Sequence, residues 1–211
     1  AKYVISLCGG HQGGADKLTR LIAHQINGTP IITSASEYLN LPAIDLLGNT
    51  YGWVKGEGNW TEVSASIARQ EKVLVIQDAG STLWQNYLPP SHPFDFTSSE
   101  NLSQSHTIPP AIVFISAKHK SLSAYNIPTV EWHPRVLWVG IGCERGISKK
   151  LIKFAIETIF NQFNLTRKAI AAMATIELKA NEVGILELLE EWNLPLKTFT
   201  AEELSVIKVP N

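Results

Sequence analysis

The chain has little cysteine, no excess of charge of one sign and no long apolar run, and each shortage excludes a class of protein. Its two cysteines, Cys8 and Cys143, have neither disulfide-framework nor metal-ligand spacing. That excludes a cysteine-stapled scaffold and fits a reducing compartment. Each stands where an apolar strand meets a glycine loop, the usual place of a small packing residue. Lysine and arginine number 18 against 19 aspartates and glutamates, a formal net charge of −1. No broad basic surface is available, so a nucleic-acid partner is not expected. No apolar run reaches membrane-spanning length, and the first residues lack the form of a secretory leader, so no membrane partner and a cytoplasmic location are expected. The G-x-S-x-G elbow of the α/β hydrolases does not occur. Nor do the G-x-G-x-x-G dinucleotide fingerprint and the P-loop.

What remains is a globular composition, 45% hydrophobic and 18% charged over 211 residues, enough for one ordinary domain or two small ones. Its most informative stretch is Lys2–Ala23. An apolar segment, Tyr3 to Leu7, runs into two glycine pairs that bracket His11, and an amphipathic helix follows at once. Four glycines within six residues imply unusual backbone angles or a ligand pressed against the main chain. A loop placed between a strand and a helix start aims free N–H groups above the sheet, where they favour anions. Gly10, Gly13 and Gly14 are therefore candidate binding residues, and Lys17 joins them from the first helical turn. His11 either acts as an acid or base near neutral pH or braces the loop. Asp16 is accounted for by the helix dipole.

The organisation alternates strand and helix. Leu18, Leu21, Ile22 and Ile26 mark one helical face, ended by Asn27-Gly28, and Pro30 to Thr33 begin a second strand. A short helix is expected around Ala43 to Leu47 and a turn-rich stretch from Gly52 to Gly58. The middle part then carries a helix over Trp60–Gln70 and strands over Lys72–Gln77, Ala111–Ser116 and Ile127–Glu131. The Pro- and Ser-rich stretch 89–110 reads as a long loop. In the last part, Arg135–Ile141 is a strand. The helix after it presents Ile147, Leu151, Ala155, Ile159 and Phe163 at four-residue spacing, which predicts a core-facing stripe. A strand over Ala169–Ile176, a helix over Glu182–Trp192 and a final strand and helix complete the pattern. The expected fold class is α/β, in small layered units with mainly parallel sheets and repeated strand–glycine loop–helix passages. Three segments are expected, at 1–52, 53–133 and 134–211. The tryptophans, among them Trp53, Trp84, Trp132 and Trp138, are read as packing residues before macrocycle-stacking ones.

The second glycine loop, Gly140 to Ser148, repeats the logic of the first. Gly142 gives backbone freedom, Arg145 can grip a carboxylate in bidentate fashion, and Ser148 is placed to cap the following helix. A tight turn with a solvated arginine reads equally well. Lys149 and Lys150 fall on the helix's wet face. The junction Thr175-Ile-Glu-Leu-Lys-Ala-Asn-Glu puts Glu177 and Lys179 at a strand end and Glu182 at the next helix start. These residues can share a rim with the second loop or be ordinary surface charges.

Two blocks then resemble a known family. Ser6-Leu-Cys-Gly-Gly-His-Gln-Gly-Gly-Ala-Asp, followed by Pro30-Ile-Ile-Thr-Ser-Ala-Ser, is similar to the S-G-H-x-G-G-A-N … P-V-I-T-T-A-T-D pattern of the cobalamin-biosynthesis family CbiG. Val139-Gly-Ile-Gly-Cys-Glu-Arg-Gly resembles that family's G-I-G-C-R-R-G-T block, with Glu144 in place of the first arginine. Ala174-Thr-Ile-Glu-Leu-Lys-Ala-Asn-Glu and Ala201-Glu-Glu-Leu follow in the family's order. Both end segments look short against the family pattern. The resemblance implies a cobalt-precorrin-5A hydrolase, which opens a δ-lactone and releases acetaldehyde, in the corrin branch of tetrapyrrole synthesis. It implies a cobalt-precorrin substrate that carries its own cobalt, no further cofactor and no protein-held metal. Other enzymes of the corrin pathway and a second copy of the chain are compatible partners. On this reading His11, Glu177 and Lys179 serve the chemistry, while Gly10, Gly13, Gly14, Lys17, Gly142, Arg145, Ser148 and Glu182 hold substrate. A non-catalytic corrinoid carrier is the alternative.

Overall fold

The computed structural model describes residues 1–7, 9–32, 41, 43–98, 108–120 and 125–208, with only the backbone at 11 and 12. Cys8, Thr33 and residues 99–107 of the long loop expected at 89–110 lie outside them. The chain divides into two compact units, one of residues 1–116 and 121–132, the other of 117–120 and 133–211. Helix and strand alternate in both, and the paired strands with a given direction are parallel. The architecture is therefore α/β. Among the described residues no helix is long and apolar enough to cross a membrane.

The first unit opens with β1 (Tyr3–Ile5), a helical turn α1 (Gly10–Gly13), α2 (Ala15–Gln25) and β2 (Thr29–Ile31), with β1 and β2 paired in parallel. The helix does not bury the face expected of it. Asp16, Thr19 and Ala23 are buried, while Leu18 and Leu21 are each 56% exposed. A two-stranded sheet is too narrow to cover a whole helical face.

The larger sheet of this unit runs β3 (Val54–Gly58), β7 (Thr129–His133), β6 (Ala111–Ile115), β4 (Val73–Gln77), β5 (Phe94–Thr97). Every residue of β6 is buried, as expected of a central parallel strand covered on both faces. Val73, Val75, Val113 and Trp132 face one core with Val63 and Ile67 of α3 (Trp60–Ala68), and Ile76, Ile112 and Phe114 form the other. Trp132 is fully buried and donates from Nε1 to Ile44 O at 2.9 Å, which anchors residues 43–48 on the sheet.

Three expectations change here. Residues 44–48 form turns followed by a 3-10 turn at Asn49–Tyr51, not a helix. The stretch read as turns at 52–58 contains β3. Its glycine at Gly58 has φ 128° and leaves no room for a Cβ against the Thr129–Val130 backbone. Close approach to β7, not a turn, explains that glycine. Finally, β5 lies inside the expected long loop, as the edge strand next to β4.

The second unit holds β8 (Leu137–Gly140), α4 (Lys149–Gln162), β9 (Ile170–Ile176), α5 (Val183–Trp192), β10 (Leu196–Phe199) and α6 (Ala201–Ser205). Strand order is β10-β9-β8, all parallel. Because the chain steps across the sheet in one direction, right-handed crossovers put α4 and α5 on the same face. Their core contains Ile152, Ile156, Met173, Ile185, Leu188 and Leu189. The core-facing residues of α4 are thus Ile152 and Ile156. The stripe expected to point inward does not: Leu151 is 54% exposed, Ile159 49% and Phe163 55%.

Candidate functional site

The first glycine loop is more helical than expected. Gly10–Gly13 make one turn, Gly9 and Gly14 both have φ 71°, and α2 starts at Ala15. Left-handed Gly9 leads into α1, and left-handed Gly14 lets the chain pass from α1 into α2 without a side-chain cap. The Ala15 N–H donates to Gly9 O at 3.3 Å and the Leu18 N–H to Gly14 O at 3.0 Å. Asp16 is 5% exposed, and its Oδ2 would lie 3.2 Å from a Cβ added to Gly10. A buried carboxylate thus already stands at the start of α2, where it complements the helix dipole. Gly13, Gly14 and Lys17 are exposed, Gly10 is half-buried, and the side chain of His11 lies outside the described residues.

In the second unit the chain brings the second glycine loop and the 175–182 junction together at the carboxyl ends of β8 and β9. Parallel sheets present their ligand sites at such ends. Thr175 Oγ1 donates to Ile141 O at 2.8 Å, tying the end of β9 to the start of the loop. The Gly146 N–H donates to Glu182 Oε1 at 2.7 Å, and Glu182 is only 6% exposed. Gly146 needs its glycine, since φ is 78°. Arg145 is exposed, and its Nη2 donates to Leu178 O at 3.4 Å, within the short 3-10 turn Glu177–Lys179. Glu177 is exposed and Lys179 half-buried.

Ser148 caps α4 as its spacing suggests, its Oγ accepting from the Leu151 N–H at 3.3 Å. No acidic residue lies in the first turn of α4. Lys149 and Lys153 instead reach Glu191 of α5, at 3.1 and 2.6 Å. Hydrogen bonds from Lys153, then Lys149, hold the Glu191 carboxyl below the usual carboxylate range. Gly184 lets the two helix starts meet: a Cβ there would press on Ile147 O and stand 3.0 Å from Lys149 N. This rim therefore has a capped helix start free of acidic residues, an accessible arginine and a lysine at a strand end, which together suit a carboxylate ligand.

Of the residues singled out in this part of the sequence, Gly142, Arg145, Ser148, Glu177, Lys179 and Glu182 lie on one continuous passage of the second unit. Within it Glu182 is occupied in shaping the loop. Sequence reading missed a further feature of the first unit. The chain leaves β4 toward β5 on one side and β6 toward β7 on the other, so the strand order reverses between β4 and β6, the place where open parallel sheets commonly take ligands. Gln77 braces the loop that follows β4, donating to Ala79 O at 3.1 Å and Ser81 O at 3.0 Å while accepting from Trp84 Nε1 at 3.0 Å. Only the strand order, which a linear sequence does not display, reveals that reversal.

Comparison with known proteins agrees with these blocks. Family profiles described as cobalamin synthesis G N-terminal, cobalamin biosynthesis central region and cobalamin synthesis G C-terminus match residues 1–37, 42–134 and 137–211. A cobalt-precorrin-5A hydrolase of Priestia megaterium is 33% identical over 211 residues, covering 98% of this chain and 56% of that protein. A cobalt-precorrin-5A hydrolase of Salmonella typhimurium is 26% identical over 206 residues, covering 96% of this chain and 57% of that protein. A solved cobalamin biosynthesis protein G homologue from Sulfolobus solfataricus aligns over 99% of this chain and 56% of its own, at 21% identity and a TM-score of 0.34. The chain thus spans little more than half the length of the curated relatives it matches. Three successive profiles of one family run nearly end to end along it: the chain belongs to the CbiG family of cobalamin-biosynthesis proteins.

Proposed function

We propose that this chain carries out, within its protein, the hydrolysis of cobalt-precorrin-5A. The observation that carries the reading is the match, over nearly its whole length, to relatives named for that activity. The rim of the second unit supports it, because the substrate is a macrocycle fringed with carboxylates. In this reading Arg145 and Lys179 hold acetate or propionate groups, and Gly142 and Ser148 shape the backbone around them. Cobalt arrives with the substrate, and no cofactor of the protein's own is invoked.

Lactone opening needs an activated water and a place for developing negative charge. Water adds to the lactone carbonyl and the acyl–oxygen bond breaks, leaving a carboxylate and an alkoxide that takes up a proton. Loss of the resulting hydroxyl proton forms a C=O bond as the adjoining C–C bond breaks. Acetaldehyde leaves, and the electron pair passes into the macrocycle and is protonated. His11 is assigned to proton transfer, with the N–H groups around Gly13 and Gly14 stabilising charge.

Anaerobic incubation of the chain with cobalt-precorrin-5A, followed by acetaldehyde assay, tests the reading. Acetaldehyde equal to the substrate consumed is expected, and His11→Ala should abolish it with an unchanged circular dichroism spectrum. Near-normal turnover in that variant removes His11 from the chemistry. Tight binding without acetaldehyde would overturn the hydrolase reading in favour of a corrinoid carrier.

A further inference from the structure

Glu182 begins α5, yet its side chain does not serve that helix. It stands at the N-cap, where a short Ser, Thr, Asp or Asn side chain binds the first free N–H groups, and it makes no side-chain cap bond. Its carboxylate turns instead to the second glycine loop, where it accepts the Gly146 N–H at 2.7 Å, and Glu182 is only 6% exposed. A carboxylate so far from water is unfavourable unless hydrogen-bonded, and the Gly146 N–H supplies such a bond.

The loop is fastened at both ends. Thr175 Oγ1 donates to Ile141 O at 2.8 Å, and the Ile141 N–H donates to Ala174 O at 2.8 Å. At the other end Gly184 lies so close to Ile147 O and Lys149 N that a Cβ has no room. Glu182 holds the middle. The N–H it grips belongs to the planar peptide that joins Arg145 to Gly146. Fixing that N–H restrains ψ of Arg145, and with it the direction in which the Arg145 side chain leaves the loop. Arg145 is exposed and rests its Nη2 on Leu178 O at 3.4 Å. That bond is long for N–H···O and ends on a neutral carbonyl. A carboxylate makes shorter, charge-assisted bonds and can take a guanidinium at two points, so it is the better partner for Arg145.

We propose that Glu182 is a positioning residue of the carboxylate site: by holding the Gly146 N–H it fixes the turn from which Arg145 leaves Leu178 O and grips a carboxylate of the ligand. Glu182 itself does not touch the ligand. This inference rests on the second unit's rim being a carboxylate site, and not on whether a lactone is hydrolysed there.

The test is binding of cobyrinic acid, a cobalt corrinoid with free carboxylates, to the 211-residue chain, followed by its visible absorption. The methyl ester of the same corrinoid is the neutral probe. The parent chain should bind the acid saturably and the ester at least about tenfold more weakly. Arg145→Ala should weaken binding of the acid by about tenfold. Glu182→Asp keeps the charge and is a better N-cap, so α5 and the circular dichroism spectrum should not change. One methylene shorter, it no longer reaches Gly146 and should weaken the acid by a similar factor. Glu182→Gln keeps an acceptor oxygen at full length and should recover most of that loss. In the Arg145→Ala background Glu182→Asp should add less than about twofold, because its effect acts through the arginine. Equal loss in both backgrounds, parent-like binding by Glu182→Asp, or no recovery with Glu182→Gln overturns the proposal. So does a parent that binds acid and ester equally, or neither, which removes the carboxylate site itself. Acetaldehyde release answers the hydrolase question separately. Its absence from a chain that binds the acid in this pattern upholds the role of Glu182 and makes the chain a carrier.

Discussion

Replacing Gly184 by alanine sets two effects of opposite sign against each other at the candidate rim. Gly184 is the second residue of α5, and glycine-to-alanine in a helix ordinarily stabilises by about 0.5–1 kcal/mol. Here, however, the added Cβ would press on Ile147 O, with Lys149 N at 3.0 Å and Ser148 C at 3.1 Å. All three are backbone atoms of the turn that starts α4, so no side-chain rotation relieves the contact. Overpacking of this kind costs about 1–3 kcal/mol, and the upper part of that range applies because the obstacle is main chain. The net expectation is a loss of about 1–2 kcal/mol. For a unit of this size that corresponds to a fall of roughly 5–15 °C in its melting transition. Calorimetry of Gly184→Ala should show the fall, with Gly140→Ala as control. A Cβ at Gly140 meets nothing within 4 Å, so that variant should stay within about 0.5 kcal/mol of the parent. An unchanged or raised transition for Gly184→Ala would refute the reasoning, since helix propensity would then have outweighed the contact.

Substitutions at two other positions examine the same unit. Glu182→Ala removes the charged acceptor of the partly buried Gly146 N–H bond and should cost about 1–3 kcal/mol. Glu182→Gln, which keeps an acceptor oxygen, should cost less, and faster amide exchange at Gly146 should accompany the alanine change. Glu191→Gln removes the partner of Lys149 and Lys153. The Glu191 carboxyl is held below its ordinary range. Its stabilising effect is therefore present at neutral pH and fades as acid takes the pH down through that lowered value. The parent and Glu191→Gln melting temperatures should differ slightly at pH 7 and converge in acid, because the pair is exposed and screened. A gap that widens in acid would reverse the assigned sign.

Local signals carried much of the fold into view. Apolar runs of strand length, glycine loops after them and capped helix starts marked β1, β4, β6, β8 and β9 and all the longer helices to within a few residues. They did so because each depends on residues close in sequence: the Ser148 cap, the left-handed Asn193 that ends α5, the glycine at Gly146. The resemblance that placed the chain in its family rested on the same loops. β3 and β5 escaped because their own residues carry little strand signal: β3 is Val-Lys-Gly-Glu-Gly, and β5 is a four-residue run inside a Pro- and Ser-rich stretch. Gly58 is glycine for the sake of the Thr129–Val130 backbone, not for a turn of its own.

The sequence by itself determined that this is an α/β chain with two strand–glycine loop–helix passages, and it named the family through them. Period, cap and turn chemistry are short-range, and they act before the chain has packed. Only the tertiary structure decided which apolar stripe of α4 entered the core, because Leu151 and Ile152 are equally apolar and differ only in what lies opposite them. It also decided that Glu182 braces Gly146, that Asp16 occupies the start of α2, and that β8 presents an outward edge. Each of those depends on strand order or on a contact between residues far apart along the chain, which no local pattern encodes.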